Sequence, residues 1–405
     1  MKNWNIGKEF ILKKAIIFFI SVVFFSGMVS CGASKPNINV ADTSAAQKSI
    51  NSFDDKLFEI LSATEGNVNY SAISIYSLMY ALSKGSGSDT LAQLVDVLDI
   101  VPSQDFEEQL KYILTSTENM SNSIWYKNSF KMQDDYKNFL NQFEFEIKPT
   151  DFTKSADVQR KINSFVSNKT HKMIKDFLLG NLDAGTKLVL LNTLYFNQKW
   201  QEKFDKKETR KEYFYTDSDE EIKVSMMHKS DYYSYYEDEI FQAIELNYKD
   251  SRYSMIIFLP KQNGFDFSGT GLNSLLQKFD SDNKPCSVRL ALPKFDLVSK
   301  YELAPILGGL GIKDAFSPDL ADFSKIFTDS ENLFVDMAIH QVKITVDEEK
   351  TKAAAVTMFG AKSAPVELNP EITFTADHPF CYVIRDKEHG INLFSGILRV
   401  PNWAL

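Results

Sequence analysis

The residues that could carry catalytic or metal chemistry are few and scattered. Five histidines occur in the 405 residues, at positions 171, 228, 340, 378 and 389, and none belongs to an H-E-x-x-H pair. Cys286 and Cys381 have no metal-ligand spacing to a histidine, and no G-x-S-x-G turn joins a strand to a helix. The many carboxylates are typical of a solvated acidic surface. The sequence therefore predicts no metal ion, no cofactor and no enzymatic activity.

The surroundings of Cys31 predict a covalent modification. Three lysines between residues 8 and 14 precede an apolar run, 15–25, which leads to the sequence M-V-S-C at 28–31. A basic start, a short apolar core and small residues before a cleavage site are typical of a secretory signal, and the run is too short for a stable membrane span. The ending resembles the bacterial lipoprotein signal, in which the cysteine is lipidated and becomes the new N-terminus.

We therefore expect a signal peptide at residues 1–30, lipidation of Cys31, and a flexible tether over residues 31–48, which are rich in Ser, Ala, Asn and Pro. The mature protein would be exported to the bacterial cell envelope. Its acyl chains alone would hold it at a membrane by burying methylene groups. Display at the cell surface remains open.

A second unusual segment follows a predicted strand in which Val342, Ile344 and Val346 alternate with polar residues. Asp347-Glu348-Glu349 should end that strand, and the chain continues as K-T-K-A-A-A-V-T-M-F-G-A-K-S-A-P at 350–365. The odd positions from 351 to 361 hold small residues and one aromatic, whereas the lysines are all at even positions. As a strand, this segment would have one face small enough to enter a packed sheet. This pattern alone leaves an Ala-rich helix or a plain surface loop open.

The elements that would position this segment follow from periodicity. The spacing of Ile50, Phe53, Leu57, Phe58 and Leu61 predicts a helix, so the folded body should begin near residue 49. Strand-like runs come later in the chain, at residues 188–196, 254–259, 288–292, 342–346, 380–384 and 392–400. Helices followed by strands indicate an α+β fold. No linker or repeat follows residue 49, which favours one large domain over residues 49–405.

Composition limits the possible partners. The net charge is −9 at pH 7 and the pI is about 5.3, which argues against nucleic acid as a partner. The 32 phenylalanines and 17 tyrosines predict a large aromatic core. Apart from Cys31, only Cys286 and Cys381 remain, and we expect two buried thiols rather than a disulfide.

Many short motifs, in order along nearly all of the chain after residue 49, resemble those of the serpins. The segment 347–357 is similar to the hinge of the serpin reactive loop. The other matching motifs are N-V-N-Y-S-A-I-S-I at 67–75, the segment 85–93, N-T-L-Y-F at 192–196 with Trp200, Phe204, Asp205 and Thr209 after it, M-M-H at 226–228, L-P-K-F at 292–295, L-G-I at 310–312, A-F-S at 315–317, A-D-F-S at 321–324 and A-D-H-P-F at 376–380. One motif would be weak, but this many collinear motifs are specific.

The resemblance implies the serpin fold: three β-sheets, about nine helices and an exposed reactive loop. A target serine or cysteine protease would cleave the loop and become acyl-linked to it. The freed loop would then insert into the main sheet, sheet A, and trap the protease. The protein would be a metastable monomer whose partner is the covalently bound protease.

The resemblance also assigns roles to residues. It places the hinge at Glu348, Glu349, Lys350, Thr351, Lys352, Ala353, Ala354, Ala355, Val356 and Thr357. It places a polar shutter beneath sheet A at Ser74, Asn192 and His340, where strands must part. It places the breach, where insertion begins, at Trp200, Lys294 and Glu348, with Glu348 facing Lys294.

One residue departs from the pattern of inhibitory serpins, and the position of the scissile bond leaves the class of target protease open. Lys350 stands where inhibitory members usually have glycine, so a non-inhibitory serpin-fold binding protein stays the alternative. The family's spacing places the scissile bond sixteen residues beyond Glu348, after Ala364, but most serine proteases disfavour the following Pro365. A cut between Lys362 and Ser363 would suit a trypsin-like enzyme. A cut after Ser363 or Ala364 would suit an elastase-like one.

Overall fold

The computed structural model describes residues 44–180, 182–328, 333–349 and 372–402. These ranges contain eight α-helices: α1 Ser44–Ser62, α2 Ala72–Gly85, α3 Ser88–Val97, α4 Gln104–Ser116, α5 Asp134–Gln142, α6 Ser155–Lys169, α7 Leu272–Asp282 and α8 Leu303–Leu310. They also contain fourteen strands: β1 Val68–Tyr70, β2 Met120–Lys127, β3 Glu146–Thr150, β4 Leu188–Phe196, β5 Arg210–Tyr215, β6 Glu221–Glu237, β7 Phe241–Asn247, β8 Tyr253–Pro260, β9 Lys284–Pro293, β10 Phe295–Glu302, β11 Met337–Val346, β12 Ile372–Thr375, β13 Phe380–Asp386 and β14 Ile391–Leu398.

The predicted α+β fold is confirmed, with one boundary corrected. Helix α1 begins at Ser44, so residues 44–48 belong to a helix and not to the expected tether. Ala45 and Ala46 favour helix, and Ala46 is fully buried beside Ile50, which extends the apolar face of α1 toward the N-terminus. All six predicted strand runs coincide with β4, β8, β9, β11, β13 and β14.

Sheet A has five strands in the order β10-β11-β4-β2-β3. Its two central strands, β4 and β11, are parallel neighbours, paired from Val189 with Met337 to Phe196 with Ile344. Every residue of β4 is buried, as expected for a central strand covered on both faces. Because β11 leads directly to residue 350, the segment predicted to insert begins at the end of this central pair.

The second sheet has nine strands, and the 17-residue strand β6 joins its two limbs. One limb has the order β5-β6-β9-β12, and the other continues through β7, β8, β13, β14 and β1. The three expected sheets are therefore present as sheet A and two limbs that share a strand.

The core lies between the two sheets. Helix α2 is buried along almost its whole length and packs on β14 of one sheet and on β2 and β4 of the other. This position explains its apolar sequence and its single exposed residue, Lys84. Cys286 and Cys381 are both free thiols, and Cys381 is fully buried. In the described ranges, no helix is both long enough and apolar enough to cross a membrane.

Candidate functional site: the opening of sheet A

The top of sheet A is held closed by a buried ion pair. Lys294 Nζ lies 2.7 Å from Glu348 Oε2, and the two side chains are only 15% and 6% exposed. Thr209 Oγ1 donates a second hydrogen bond to Glu348 Oε1 at 2.8 Å. Although burial opposes ionisation, these two donors hold the pKa of Glu348 below its usual value. The predicted contact between Glu348 and Lys294 is thus present and fixes the residue after which the loop begins.

Trp200 closes the same end of the sheet from the other side. Its indole N–H donates to the carbonyl oxygen of Asp347 at 2.9 Å, and its ring stacks on Tyr248 with centroids 4.5 Å apart. Lys206 forms an ion pair with Glu349 at 2.5 Å. Three consecutive residues, 347 to 349, are therefore each anchored to a different neighbour immediately before the hinge.

A row of polar side chains crosses the centre of sheet A. His340 on β11 lies directly opposite Asn192 on β4, and Asn192 lies directly opposite Asn122 on β2. His340 Nδ1 is 2.6 Å from Asn192 Oδ1, and Asn192 Nδ2 donates to Asn122 Oδ1 at 2.7 Å. Asn122 Nδ2 then donates to Ser77 Oγ at 2.8 Å. All of these groups are buried, so the row links the paired strands β4 and β11, through β2, to helix α2.

One backbone contact fixes which nitrogen of His340 carries the proton, and therefore the direction of donation along the row. The N–H of Ser71 donates to His340 Nε2 at 3.0 Å, so Nε2 must be the acceptor and Nδ1 must carry the proton given to Asn192. Burial lowers the pKa of His340 to about 3, which is consistent with a neutral ring. Tyr301 stacks on the imidazole at 6.3 Å. Each side chain of the row therefore donates one hydrogen bond to the next: His340 to Asn192, Asn192 to Asn122, and Asn122 to Ser77.

Ser74, which the resemblance places in the shutter, lies beside this row without a side-chain hydrogen bond to it. Ser74 is buried on the same face of α2 as Ser71 and Ser77, but its hydroxyl has no hydrogen-bond partner among the described residues. The N–H of Ser71 and the hydroxyl of Ser77, one turn before and after Ser74, make the bonds instead. The backbone of Ser74 still contributes, because its N–H donates to Ser71 Oγ and caps α2.

The predicted bait segment lies outside the described residues. This applies to Lys350, Thr351, Lys352, Ala353, Ala354, Ala355, Val356 and Thr357, to the scissile-bond candidates Lys362, Ser363, Ala364 and Pro365, and to Cys31 with the expected signal peptide. Of the predicted site, the structure brings together Glu348, Lys294 and Trp200 at the breach and Asn192 and His340 at the shutter.

A second buried cluster has the connectivity of a Ser-His-Asp triad but is built as a structural hub. Ser116 Oγ lies 3.1 Å from His389 Nε2, and His389 Nδ1 lies 2.7 Å from Asp386 Oδ2. The guanidinium of Arg252 donates to both oxygens of Asp386, at 3.0 and 2.6 Å, and to the carbonyl of Ser116. Asp386 and His389, with Glu388, also have metal-ligand proximity, yet Arg252 already neutralises this group. We interpret the cluster as a tie between α4, β8 and the β13–β14 hairpin.

Comparison with known proteins identifies the family. The family model described as "Serpin (serine protease inhibitor)" matches residues 48–401. The chain therefore belongs to the serpin family. A serine protease inhibitor of Cyanea capillata is 34% identical over 84% of this chain and 94% of its own. A serpin-like protein of Thermococcus kodakarensis is 31% identical over 91% of this chain and 87% of its own, and human serpin B8 is 32% identical over 85% and 96%.

Solved structures agree on the fold. Native protease nexin-1 with heparin superimposes with a TM-score of 0.78 at 26% identity and covers 89% of this chain and 100% of that one. Maspin superimposes with a TM-score of 0.80 over the same 89%, at 23% identity, and this likeness concerns the fold alone. The family thus supports a protease-inhibitor class for the chain, and some serpins are non-inhibitory.

Proposed function

We propose that this protein is a suicide inhibitor of serine or cysteine proteases that acts by inserting its cleaved loop into sheet A. One observation carries the proposal: β4 and β11 are paired directly, and the chain that leaves β11 has small side chains at every second position of its hinge. The serine or cysteine of the protease would attack a peptide bond within 350–371 and release the amino group of the residue after the cut, so that the residue before the cut stays bound to the protease as an ester or a thioester. The freed strand would enter between β4 and β11, antiparallel to both, before water hydrolyses that acyl bond.

The breach and the shutter fit the requirements of this movement. The Glu348–Lys294 pair and the Trp200–Asp347 bond keep the upper end of the sheet closed until the loop is cut. The row from His340 to Ser77 adds hydrogen bonds between side chains to the apolar packing in the middle of the sheet. Hydrogen bonds can be exchanged one at a time as a new strand enters, and we expect this to lower the barrier to strand separation.

The free energy that loop insertion would release is large enough to drive the proposed movement. A dozen inserted residues would form ladder hydrogen bonds worth about 1 kcal/mol net each. Burial of Phe359 would add about 2 kcal/mol. The sum, on the order of 10 kcal/mol, equals the stability of a typical domain. An intact native state that has not realised this energy is metastable.

The target is proposed to be elastase-like or trypsin-like, and one experiment tests both. The protein is mixed with elastase and with trypsin, and the products are separated on a denaturing gel. A band near the summed mass of the two proteins is expected with the true target class, and none with a protease whose serine is blocked. The N-terminus of the released C-terminal fragment identifies the bond: Ser363 indicates a trypsin-like cut, and Ala364 or Pro365 an elastase-like one. Complete loop cleavage by every protease without such a band would overturn inhibition.

The alternative is a non-inhibitory serpin that acts as a binding protein, and Lys350 favours it. A lysine at this position lacks the backbone freedom of glycine where the hinge must bend. The variant Lys350→Gly separates the two functions. An inhibitor slowed by Lys350 should trap a larger fraction of protease after this change, whereas a binding protein should remain a plain substrate.

We also propose export and lipid anchoring through Cys31. The basic start and the apolar run before M-V-S-C support this location, and residues 32–43 would serve as the tether. In a bacterial host, the wild type should enter the membrane fraction and incorporate labelled palmitate. Cys31→Ser should do neither, and membrane association of this variant equal to wild type would reject the anchor.

A further inference from the structure

His378 lies between two hydrogen-bond acceptors just beyond the end of β12. Its Nδ1 is 2.8 Å from Asp377 Oδ1, and its Nε2 is 2.7 Å from the carbonyl oxygen of Pro260, the last residue of β8. A neutral imidazole has one N–H and can donate only one of these bonds, whereas an imidazolium donates both. Because neither a carbonyl oxygen nor a carboxylate can donate, the two bonds together require a ring that carries two protons.

The surroundings of the ring favour the imidazolium. The ring is 16% exposed, and the charged group that contacts it in the described ranges is the carboxylate of Asp377, which is 35% exposed. Although burial of the ring opposes its charge, the hydrogen bonds to Asp377 and to the carbonyl of Pro260 raise the pKa of His378 above its usual value. Charged side chains of the neighbouring turns have contacts of their own: Lys261 with Glu237, Asp217 with Arg399, and Asp219 with Asn263.

The same contacts hold the end of an edge strand. The four residues of β12 pair with β9 alone. Beyond β12, the N–H of Ala376 donates to the carbonyl of Ala291 at 2.9 Å, and the N–H of Tyr215 donates to the carbonyl of Asp377 at 2.7 Å. Both of these backbone bonds stay within the limb that contains β12. The bond from His378 to Pro260 instead joins this limb to β8 in the other limb.

We propose that His378 is a pH-sensitive tie, which holds the end of β12 to β8 while its ring carries two protons and loosens when the ring loses one. A neutral ring must give up either the bond to Asp377 or the bond to the carbonyl of Pro260. Because the folded-state pKa lies above the unfolded value of about 6.5, the stabilising contribution is complete below pH 6.5 and is lost as pH rises through the folded-state pKa. The inference does not depend on the proposed inhibition of a protease.

Hydrogen exchange of residues 372–379, measured by mass spectrometry on the whole protein at pH 6 and pH 9, tests the proposal. After correction for the intrinsic effect of pH on exchange, protection in the wild type should be about fivefold lower at pH 9, which is the effect expected for the loss of one hydrogen bond. His378→Gln keeps an amide donor for the carbonyl of Pro260 but does not titrate, so its protection should not change with pH. Asp377→Asn keeps the ring and removes the carboxylate, so protection should be lost at a lower pH than in the wild type.

His228→Gln is the matched control. His228 on β6 is also largely buried, at 18% exposure, but its Nε2 contacts one carboxylate oxygen, that of Glu212, at 2.9 Å. Its replacement should leave the pH dependence of residues 372–379 as it is in the wild type. In NMR spectra, the imidazole signal that His378→Gln lacks belongs to His378, and we expect it to titrate above pH 6.5.

An equal loss of protection at pH 9 in the wild type and in His378→Gln would overturn the proposal. A His378 imidazole that titrates at or below pH 6.5 would overturn it as well. If His378→Gln does not fold, Asp377→Asn decides, because a variant that loses protection at the same pH as the wild type would show that the paired ring is not the titrating group.

Discussion

At the scale of single residues, the core contains a carboxyl group, that of Asp54, that pairs with no cation among the residues the structure describes. Asp54 on α1 is 1% exposed and accepts hydrogen bonds from Tyr70 Oη, Asn392 Nδ2 and Ser395 Oγ at 2.7 to 2.9 Å. Burial raises the pKa of Asp54 to about 6, against the opposing effect of these donors. The group therefore couples folding to pH close to neutrality.

The sign of this coupling predicts the behaviour of Asp54→Asn. The folded-state pKa lies above the unfolded value of about 4, so the stabilising contribution is present below pH 4 and is lost as pH rises through 6. At pH 8 the contribution of Asp54 to the free energy of unfolding is about 3 kcal/mol lower than it is below pH 4. Asp54→Asn should raise the midpoint of thermal unfolding by about 5 °C at pH 8 and by little at pH 4.5. An equal effect at both pH values would contradict the assignment.

The contribution of His340 to stability depends on pH in the opposite direction to that of Asp54. Because its pKa is depressed in the folded state, its contribution is present above the unfolded pKa of about 6.5 and is lost as pH falls. His340→Ala should leave the Ser71 N–H and the Asn192 carbonyl unpaired, at a cost of about 2 to 4 kcal/mol at pH 8. The deficit relative to wild type should shrink by about 2 kcal/mol at pH 5.

Asn122→Ala is the matched control for His340→Ala. It interrupts the same row one strand further on and has no titrating group, so its deficit should be similar at pH 8 and pH 5. Thermal unfolding of the three proteins at both pH values is the measurement. A pH-independent deficit for His340→Ala would show that the imidazole does not stay neutral in the folded state.

The row also shows how far sequence reasoning reaches at this scale. Asn192, Trp200, Lys294 and Glu348 could be predicted, because each belongs to a motif with a recognisable order in the chain. His340 could be predicted only through the shutter role that the family resemblance implies. Asn122 and Ser77 could not be predicted, since their role depends on the register between β2 and β4 and on the rotation of α2. The sequence of β2, M-S-N-S-I-W-Y-K, mixes polar and apolar residues and does not mark Asn122 as buried.

At the scale of elements, the proposed function depends on the direct pairing of β4 with β11. Parallel strands form this pair, and an inserted strand would replace it with two antiparallel pairs, which are slightly more stable per residue. The periodicity of β4 and β11 predicted both strands. Their adjacency was not predictable from periodicity, because 140 residues and six other strands separate the two in the chain. Five of those strands, β5 to β9, belong to the second sheet, and β10 lies at the edge of sheet A.

The parity of the hinge gives a sharp test at this scale. Residue 355 would face into the sheet after insertion and residue 354 would face solvent, because successive side chains in a strand point to opposite faces. Ala355→Arg should therefore turn the inhibitor into a substrate, with at least a tenfold loss of covalent complex. Ala354→Arg adds the same side chain one residue away and should still trap protease.

The measurement is the fraction of cleaved protein that runs as a covalent complex on a denaturing gel. Equal loss in the two variants would mean that the hinge does not enter a sheet with the predicted register. Equal retention in both would mean that complex formation does not need insertion.

At the scale of the whole molecule, the proposed function requires the intact protein to have a higher free energy than the form with the cleaved loop inserted. Helix α2 packs on both sheets, and sheet A has five strands with β4 and β11 paired near its centre. The boundary at Ser44 and the shared strand β6 depend on tertiary packing, which explains why the sequence placed the domain start a few residues late and described the two limbs as separate sheets.

Thermal unfolding of the intact protein and of the same protein cut within 350–371 tests the central claim most directly. Insertion of the cut segment adds on the order of 10 kcal/mol, so the midpoint of unfolding should rise by roughly 20 °C or more. A cut protein that unfolds within a few degrees of the intact one would contradict a mechanism in which the severed loop becomes the sixth strand of sheet A.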